Sequence, residues 1–236
     1  MDKITNIMRR ELSSYFLSPI AYVLMAVFIA LYGVFFTGVF VTYGVANLQF
    51  SLANLLLVFL FIAPLMTMRA LAEERKLGIE ELYMTAPITT TEYILGKFLA
   101  LAISYLVMLS LLLIHFGIVF YFAKPDWGPV LSSLTGLMLA GFTFLAIGLF
   151  TSSLSDSQII SGLAGFGILL SYWLLGWVGN SMGGKWGEII GNLSLLSYYQ
   201  DFNKGVIDTK NIIFYLSNIG VFLFLTIRHM EARRWR

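Results

Sequence analysis

Few residues in this 236-residue chain could carry chemistry. Cysteine is absent, which excludes disulfides, thiolate metal sites and a Cys nucleophile. Lys97 and Lys185 each follow a glycine but precede an aromatic residue, so neither completes the G-x-x-x-x-G-K-[ST] loop that holds ATP phosphates. Ser161 and His115 could suggest an intramembrane hydrolase, yet close helix packing explains the glycines near Ser161. We therefore predict that the chain is not an enzyme and has no catalytic, metal or cofactor-binding residue.

Among the Asp, Glu, Lys, Arg and His residues, His115 alone is expected deep in an apolar segment. A transporter that uses an ion gradient normally places carboxylates or Lys at such depth to bind and release the ion. A lone His is more often a hydrogen-bond partner between helices than a proton relay. Energy is therefore expected from a separate ATPase, with a secondary transporter that depends on His115 as an alternative.

The composition indicates an integral membrane protein. Hydrophobic residues make up 58% of the chain and charged residues 12%, which would leave a soluble domain covered in exposed apolar surface. The net charge of +2 gives no reason to expect a nucleic-acid partner. We predict an all-α fold, and we treat residues 1–236 as a single transmembrane domain.

Charged residues divide the apolar sequence into stretches that contain none. These stretches cover residues 12–68, 98–123, 127–155, 157–184 and 211–227. Because a spanning helix needs roughly 20 residues, the first stretch holds two spans and each of the others holds one. The six predicted transmembrane helices cover roughly residues 20–42, 52–68, 98–122, 130–151, 158–178 and 211–228.

The basic residues predict the orientation. Eleven of the 15 Lys and Arg residues fall on the side of the two termini, and four fall on the other side. Since Lys and Arg in short loops are retained in the cytoplasm, both termini and the connection at residues 69–97 are predicted to be cytoplasmic. The predicted location is the cytoplasmic (inner) membrane of the cell.

Residues 1–18 predict an interfacial amphipathic helix. Ile4, Ile7 and Tyr15 share one face at helical spacing, while Arg9 and Arg10 lie on the other. Such a helix would lie flat at the headgroups, and a simple positively charged anchor is the compatible alternative. Pro19 then suits the first turn of the next helix.

The charged connection, residues 69–97, contains nine charged residues. The pattern predicts a helix from Thr67 to Leu77, a break with Gly78 as its cap, and a short helix over Ile79–Met84. That short helix combines acidic and apolar side chains, which suits a cleft in a soluble partner. An ordinary solvated loop with weak ion pairs is the alternative.

A further helix restarts at the end of the charged connection. Pro87 ends the short helix, Thr89 and Glu92 form a capping box, and Ile88 with Tyr93 is placed as a hydrophobic staple. A helix over residues 90–122 would be about 50 Å long, against roughly 30 Å of hydrocarbon. It would project into the cytoplasm and could tilt as a rigid body under force.

This connection resembles the signature of ABC-2 type transporter permeases, in which E-E-R-x-x-G-T-x-E-x-L-x-x-x-P joins spans two and three. The residues that carry the resemblance are Arg69 to Leu82, Thr85 to Thr89, Gly96 and Lys97. Ile79 stands where the family commonly has Thr. Residues 10–19 and 201–208 look closest to the gliding-motility-associated permease branch.

The resemblance implies a permease subunit of an ATP-driven exporter, whose short helix is a coupling helix. The partners implied are two ATP-binding subunits, which carry the ATP and Mg, and a second permease chain. Membrane lipid is a further partner, as is an accessory protein where the complex drives an extracytoplasmic assembly. The ATPase-contacting residues would be Glu80, Glu81, Leu82, Tyr83, Met84 and Pro87, supported by Glu73, Glu74, Arg75 and Gly78.

Two further connections have weaker patterns. Residues 179–210 predict a broken or re-entrant element buried against protein, which the family resemblance makes an extracytoplasmic gate. Its apolar face carries Trp186, Ile189, Ile190 and Leu193, and a helix lying on the membrane surface is the alternative. Residues 152–157 would either contact the ATPase weakly or simply cap the fifth span.

An ATP-independent scaffold or channel remains the alternative function for the whole chain.

Overall fold

The computed structural model of the chain describes residues 2–43, 48–85, 87–122 and 126–234, and within them the fold is all-helical. The helices are α1 Asp2–Leu17, α2 Pro19–Tyr43, α3 Leu48–Thr67, α4 Ala72–Lys76, α5 Ile79–Thr85, α6 Thr90–Ser110, α7 Leu112–Phe122, α8 Trp127–Leu154, α9 Gln158–Met182, α10 Gly184–Gly191, α11 Leu195–Asn203 and α12 Thr209–Arg234.

Among the residues that the structure describes, six helical segments are long and apolar enough to cross a membrane, which confirms the predicted number of spans. They cover Pro19–Val41, Leu48–Lys76, Thr90–Tyr121, Trp127–Leu154, Gln158–Gly179 and Thr209–Arg233. The second of these segments includes α3 and α4, and the third includes α6 and α7. As predicted, Pro19 is the first residue of α2.

The centre of the bundle is formed by α3 and α8. In their most apolar windows 72% and 67% of the residues are buried, against 17%, 22% and 28% for α2, α9 and α12. Glycines on α8 allow the neighbouring helices to approach it closely. A Cβ at Gly148 would lie 2.1 Å from Thr67 Oγ1 of α3, and one at Gly141 would lie 2.2 Å from Tyr105 Cε1 of α6. The α2, α9 and α12 helices therefore lie at the outside of the single chain, with most of each apolar window uncovered.

Two helices that the sequence predicted as continuous are interrupted. The predicted helix from Thr67 to Leu77 is broken by a turn over residues 68–71, and the helix over residues 90–122 is broken at Leu111. At the first break, the backbone N–H groups of Leu71 and Ala72 donate to Ser152 Oγ at 3.0 and 3.2 Å. Ser152 therefore caps the start of α4 from a different part of the chain.

Candidate functional site

The short helix α5 has the local signals that the sequence predicted for it. Gly78 precedes it with φ +71°, a left-handed conformation that a glycine tolerates without strain. On the far side, Thr89 Oγ1 accepts from the Glu92 N–H at 3.2 Å, and Glu92 accepts from the Thr89 N–H at 2.9 Å. This reciprocal pair confirms the capping box. The chain just before α5 is thus shaped by Gly78, and the chain after it by the Thr89–Glu92 capping box.

Leu82 is the part of α5 that projects outward. Its side chain is 69% exposed, whereas Glu80 on the same helix is 6% exposed. Tyr83 is half-buried, and its ring lies 4.7 Å from the ring of Tyr93 on α6. Since a large aliphatic side chain gains nothing from contact with water, Leu82 is, among the described side chains of α5, the one best suited to enter an apolar pocket of another protein.

Arg75 joins α5 to the connection between α8 and α9. Its Nε donates to Glu80 Oε2 at 2.8 Å, and its Nη2 donates to the Ser153 carbonyl at 2.7 Å. Its Nη1 also lies 3.2 Å from Asp156 Oδ1. Both the Arg75 and the Glu80 side chains are only 8% exposed, so their ion pair is shielded from salt far better than a surface pair. The guanidinium group holds three segments together.

Glu74 forms a second junction, on the opposite side of α4. Its Oε2 lies 2.9 Å from Lys97 Nζ and its Oε1 lies 3.2 Å from Arg10 Nη2. Tyr93 also donates its hydroxyl proton to Glu74 Oε2. Arg10 in turn donates to the hydroxyl of Tyr83 on α5. One buried carboxylate therefore connects α4 with α1 and α6, and through Arg10 with α5.

The amphipathic helix α1 packs along the charged connection. The Oε1 atom of Glu11 on α1 lies 3.1 Å from Lys97 Nζ, and the two residues form an ion pair in which Lys97 is 1% exposed. A Cβ at Gly96 would lie 2.8 Å from Ile7 Cγ2, so only a glycine permits this approach of α1 to α6. Burial raises the pKa of the Glu11 carboxyl, and the attraction of Lys97 only partly offsets this rise.

Two more contacts tie α1 down at its ends. Lys3 Nζ donates to the Pro87 carbonyl at 2.6 Å, and the Tyr15 hydroxyl donates to the Met66 carbonyl at 2.8 Å. Because these contacts lie at opposite ends of the helix, α1 is fixed in direction as well as position. The α1 helix therefore packs against the charged connection along its length, and its position at the membrane surface stays a prediction.

The predicted coupling residues divide into three groups. Leu82 and Pro87 are exposed, and Tyr83 is partly so. Glu80 points inward to Arg75, so its carboxylate is already paired. The side chains of Glu81 and Met84 lie outside the part of the structure that is described. Contact of these residues with an ATPase stays a prediction.

Sequence reasoning missed Glu11 and the pairing of Arg10 with Glu74. A signal for Glu11 was present, because it lies four residues after Ile7 and four before Tyr15, on the apolar face of α1. A carboxylate on such a face needs a buried cation. The sequence could not show that Lys97 is that cation, because nothing local links residues 11 and 97.

The 179–210 segment forms two short helices of different burial. The apolar face on α10 is exposed on the single chain: Trp186 is 74%, Ile189 55% and the following Leu193 52% exposed, with Ile190 partly so. Within the single chain this face is uncovered, and its burial against protein stays a prediction. Its role as a gate stays a prediction.

Burial in the 179–210 segment falls on α11 instead. A Cβ at Gly136 would lie 2.6 Å from Phe202 Cβ, so α11 packs tightly on α8. The Tyr199 hydroxyl donates to the Leu52 carbonyl at 3.2 Å. The Tyr215 hydroxyl donates to the Leu195 carbonyl at 2.7 Å. These contacts attach α11 to α3, α8 and α12.

His115 lies in an aromatic environment. Its ring is 4.8 Å from that of Tyr32 and 5.7 Å from that of Phe36, both in edge-on geometry. No acidic residue contacts it in the part of the chain that the structure describes. Nor do the described residues contain a group of three or more metal-ligating side chains.

Residues 44–227 match the family of ABC-2 family transporter proteins. The match covers most of the chain, including the charged connection and five of the six spans. No curated protein matches the chain.

Proposed function

Because the chain belongs to the ABC-2 family of transporter proteins, we propose that it is the membrane subunit of an ATP-driven exporter and that α5 is its coupling helix. ATP and Mg would be bound by a separate ATP-binding subunit, present in two copies. Two permease chains, identical or related, would form the transport path between them. The termini and the charged connection would face the cytoplasm.

One observation supports this function above the others: α5 presents an exposed Leu82, while the described Glu80 and Tyr83 side chains of the same helix contact Arg75 and Tyr93. An ordinary solvated loop would need neither a buried Arg75–Glu80 pair nor a buried Glu74. Buried ion pairs are costly to break on one side. They therefore favour an α5 that moves with its surroundings rather than alone.

The contacts define a path for force. A displacement of α5 would reach α4 and the Ser153–Asp156 turn through Arg75. It would reach α1 and α6 through Tyr83, Arg10 and Glu74. Since α4 is the last part of the second span and α6 begins the third, closure of the ATP-binding subunits would tilt both spans together. In a dimer this movement would open a path for the substrate.

The test is copurification of the ATP-binding subunit with variants of the permease. Leu82→Asp places a charge in the proposed contact and is expected to reduce recovery of the partner at least tenfold. Val206→Asp is the matched control, because Val206 is a 55% exposed aliphatic residue in the connection before α12. Full partner recovery and normal ATPase activity with Leu82→Asp would contradict the proposal.

ATP dependence separates this function from the scaffold and the secondary transporter. The reconstituted complex is expected to move its substrate only when ATP is hydrolysed. Transport driven by an ion gradient and abolished by His115→Phe would favour the secondary transporter instead.

A further inference from the structure

A cavity of about 380 Å³ lies between α1, the ends of α2 and α3, α4 and α6. One end is polar and includes Arg10, Glu11, Arg69 and Glu73. The other end is apolar. Its walls are Ile20, Ala21, Leu24, Met25, Leu65 and Met108. A volume of this size is typical of small-molecule sites, and the division into polar and apolar ends suits an amphiphile.

The charges in the cavity do not all pair with one another. Lys97 is paired with Glu11 and Glu74, and Arg10 is paired with Glu74. Among the described residues, the side chains of Arg69 and Glu73 have no ion-pair or hydrogen-bond partner, and the Arg69 Nε is buried without one. A buried guanidinium nitrogen without a partner is costly. The cavity therefore contains one cation and one anion that are available to a ligand.

Arg69 and Glu73 line the same cavity. Arg69 lies in the turn over residues 68–71 and Glu73 lies four residues later in α4, and the two side chains form no ion pair with each other. The hydroxyl groups of Ser14 and Ser18 also line the cavity and can donate to an oxyanion.

We propose that this cavity binds a membrane phospholipid whose headgroup carries an ammonium group beside its phosphate. The phosphate accepts from the Arg69 guanidinium, for which planar bidentate binding is favourable. The ammonium group donates to the Glu73 carboxylate. The acyl chains leave past Ile20 and Leu65, which are 38% and 44% exposed and so give access from the hydrocarbon. The site belongs to the leaflet that meets the charged connection, and it does not depend on an ATP-binding partner.

The test measures lipid binding to the purified permease in nanodiscs of phosphatidylethanolamine or phosphatidylglycerol, by native mass spectrometry after transfer to detergent. The unmodified protein is expected to retain phosphatidylethanolamine about tenfold more than phosphatidylglycerol. Arg69→Gln is expected to reduce retention of both lipids. Glu73→Gln is expected to remove the preference for phosphatidylethanolamine and to leave phosphatidylglycerol unchanged, since the amide cannot balance an ammonium charge.

Two further variants keep the test decisive. Arg9→Gln removes an exposed cation of α1 that does not line the cavity, and its lipid retention is expected to equal that of the unmodified protein. Ala21→Phe fills the apolar end without altering a charge and is expected to reduce phosphatidylethanolamine retention at least fivefold. Circular dichroism and gel filtration verify the fold of each variant. The proposal would be overturned if the unmodified protein retained both lipids equally. It would also be overturned if the Ala21→Phe variant retained as much phosphatidylethanolamine as the unmodified protein.

Discussion

The charged connection and the 179–210 segment both link consecutive spans, but different forces hold them. In the charged connection, the buried ionic groups of Glu74 and Lys97 contact the distant helix α1 through Arg10 and Glu11. In the 179–210 segment, the described ion pair of Lys204 with Asp201 is 3.9 Å long and exposed. There, aromatic rings and glycines supply the packing.

Because of this difference, the two segments are expected to respond differently to a displacement. A buried ion pair is short, directional and costly to break, so under the proposed mechanism the charged connection would transmit a displacement of α5 to α1, α4 and α6. Close apolar packing has no such direction and fails mainly when volume changes. The two segments should therefore be sensitive to different substitutions, charge in one and size in the other.

The largest effect is expected from Lys97→Met. It leaves Glu11 and Glu74 buried beside each other without the cation between them. Breaking a buried network in this way costs about 3–5 kcal/mol. We expect loss of a folded, purifiable protein, or a large drop in the thermal unfolding midpoint in detergent.

Lys185→Met on exposed α10 is the control and is expected to be neutral. The double variant Lys97→Met with Glu11→Gln should recover part of the lost stability, because one of the two carboxylates is then neutral. Equal stability of Lys97→Met and Lys185→Met would show that the buried ion pairs do not hold the charged connection together.

The second effect tests the 179–210 segment through size. Gly136→Ala places a Cβ 2.6 Å from Phe202, which must move. Overpacking of this kind costs about 1–3 kcal/mol, measured as a lower thermal midpoint. Gly167→Ala is the matched control, because a Cβ there meets nothing within 4 Å. If the two alanine variants unfold at the same temperature, α11 is not tightly packed on α8.

A smaller effect is expected from Tyr83→Phe, which removes the acceptor for Arg10 and keeps the ring that packs on Tyr93. Because the Arg10 side chain is 54% exposed, the lost hydrogen bond is expected to lower the unfolding free energy by only about 0.5–1 kcal/mol. Coupling should suffer more than stability, so ATP-driven transport is expected to fall further than partner recovery. Unchanged transport would remove Tyr83 from the path of force.

The smallest effect concerns pH and Glu11. Its pKa is raised in the folded protein, so the native state binds more protons than the unfolded state from the ordinary carboxyl pKa, about 4.3, up to the raised value. The contribution of Glu11 to the unfolding free energy therefore falls as pH rises through this window. The thermal midpoint of Glu11→Gln should lack this component of the pH dependence. An identical pH profile for both proteins would contradict the inferred burial effect.

The sequence predicted the elements of the charged connection better than their contacts. Gly78 and the Thr89–Glu92 box are local signals, and both are confirmed. The break before α4 depends on Ser152, which no local pattern connects to Leu71. Long-range pairing of Glu11 with Lys97 was hidden for the same reason.

In the 179–210 segment, periodicity identified an apolar face but could not say what covers it. Trp186 and Ile189 were expected to be buried and are exposed on the single chain. Tyr199 and Phe202 are buried because of a neighbouring glycine on α8 and backbone carbonyls from other helices. Apolar spacing alone does not distinguish a face that packs within the chain from one that meets lipid or another protein.

The absence of cysteine from the chain allows the most direct test of the central claim, that α5 contacts the ATP-binding subunit. Leu82→Cys and Val206→Cys each introduce a single thiol, which is labelled with a short reagent that carries a maleimide at one end and a photoreactive group at the other, and membranes that contain the whole complex are then irradiated. Crosslinking of Leu82→Cys, but not of Val206→Cys, to the ATP-binding subunit is the predicted result. Crosslinking of Val206→Cys without any from Leu82→Cys would contradict the account.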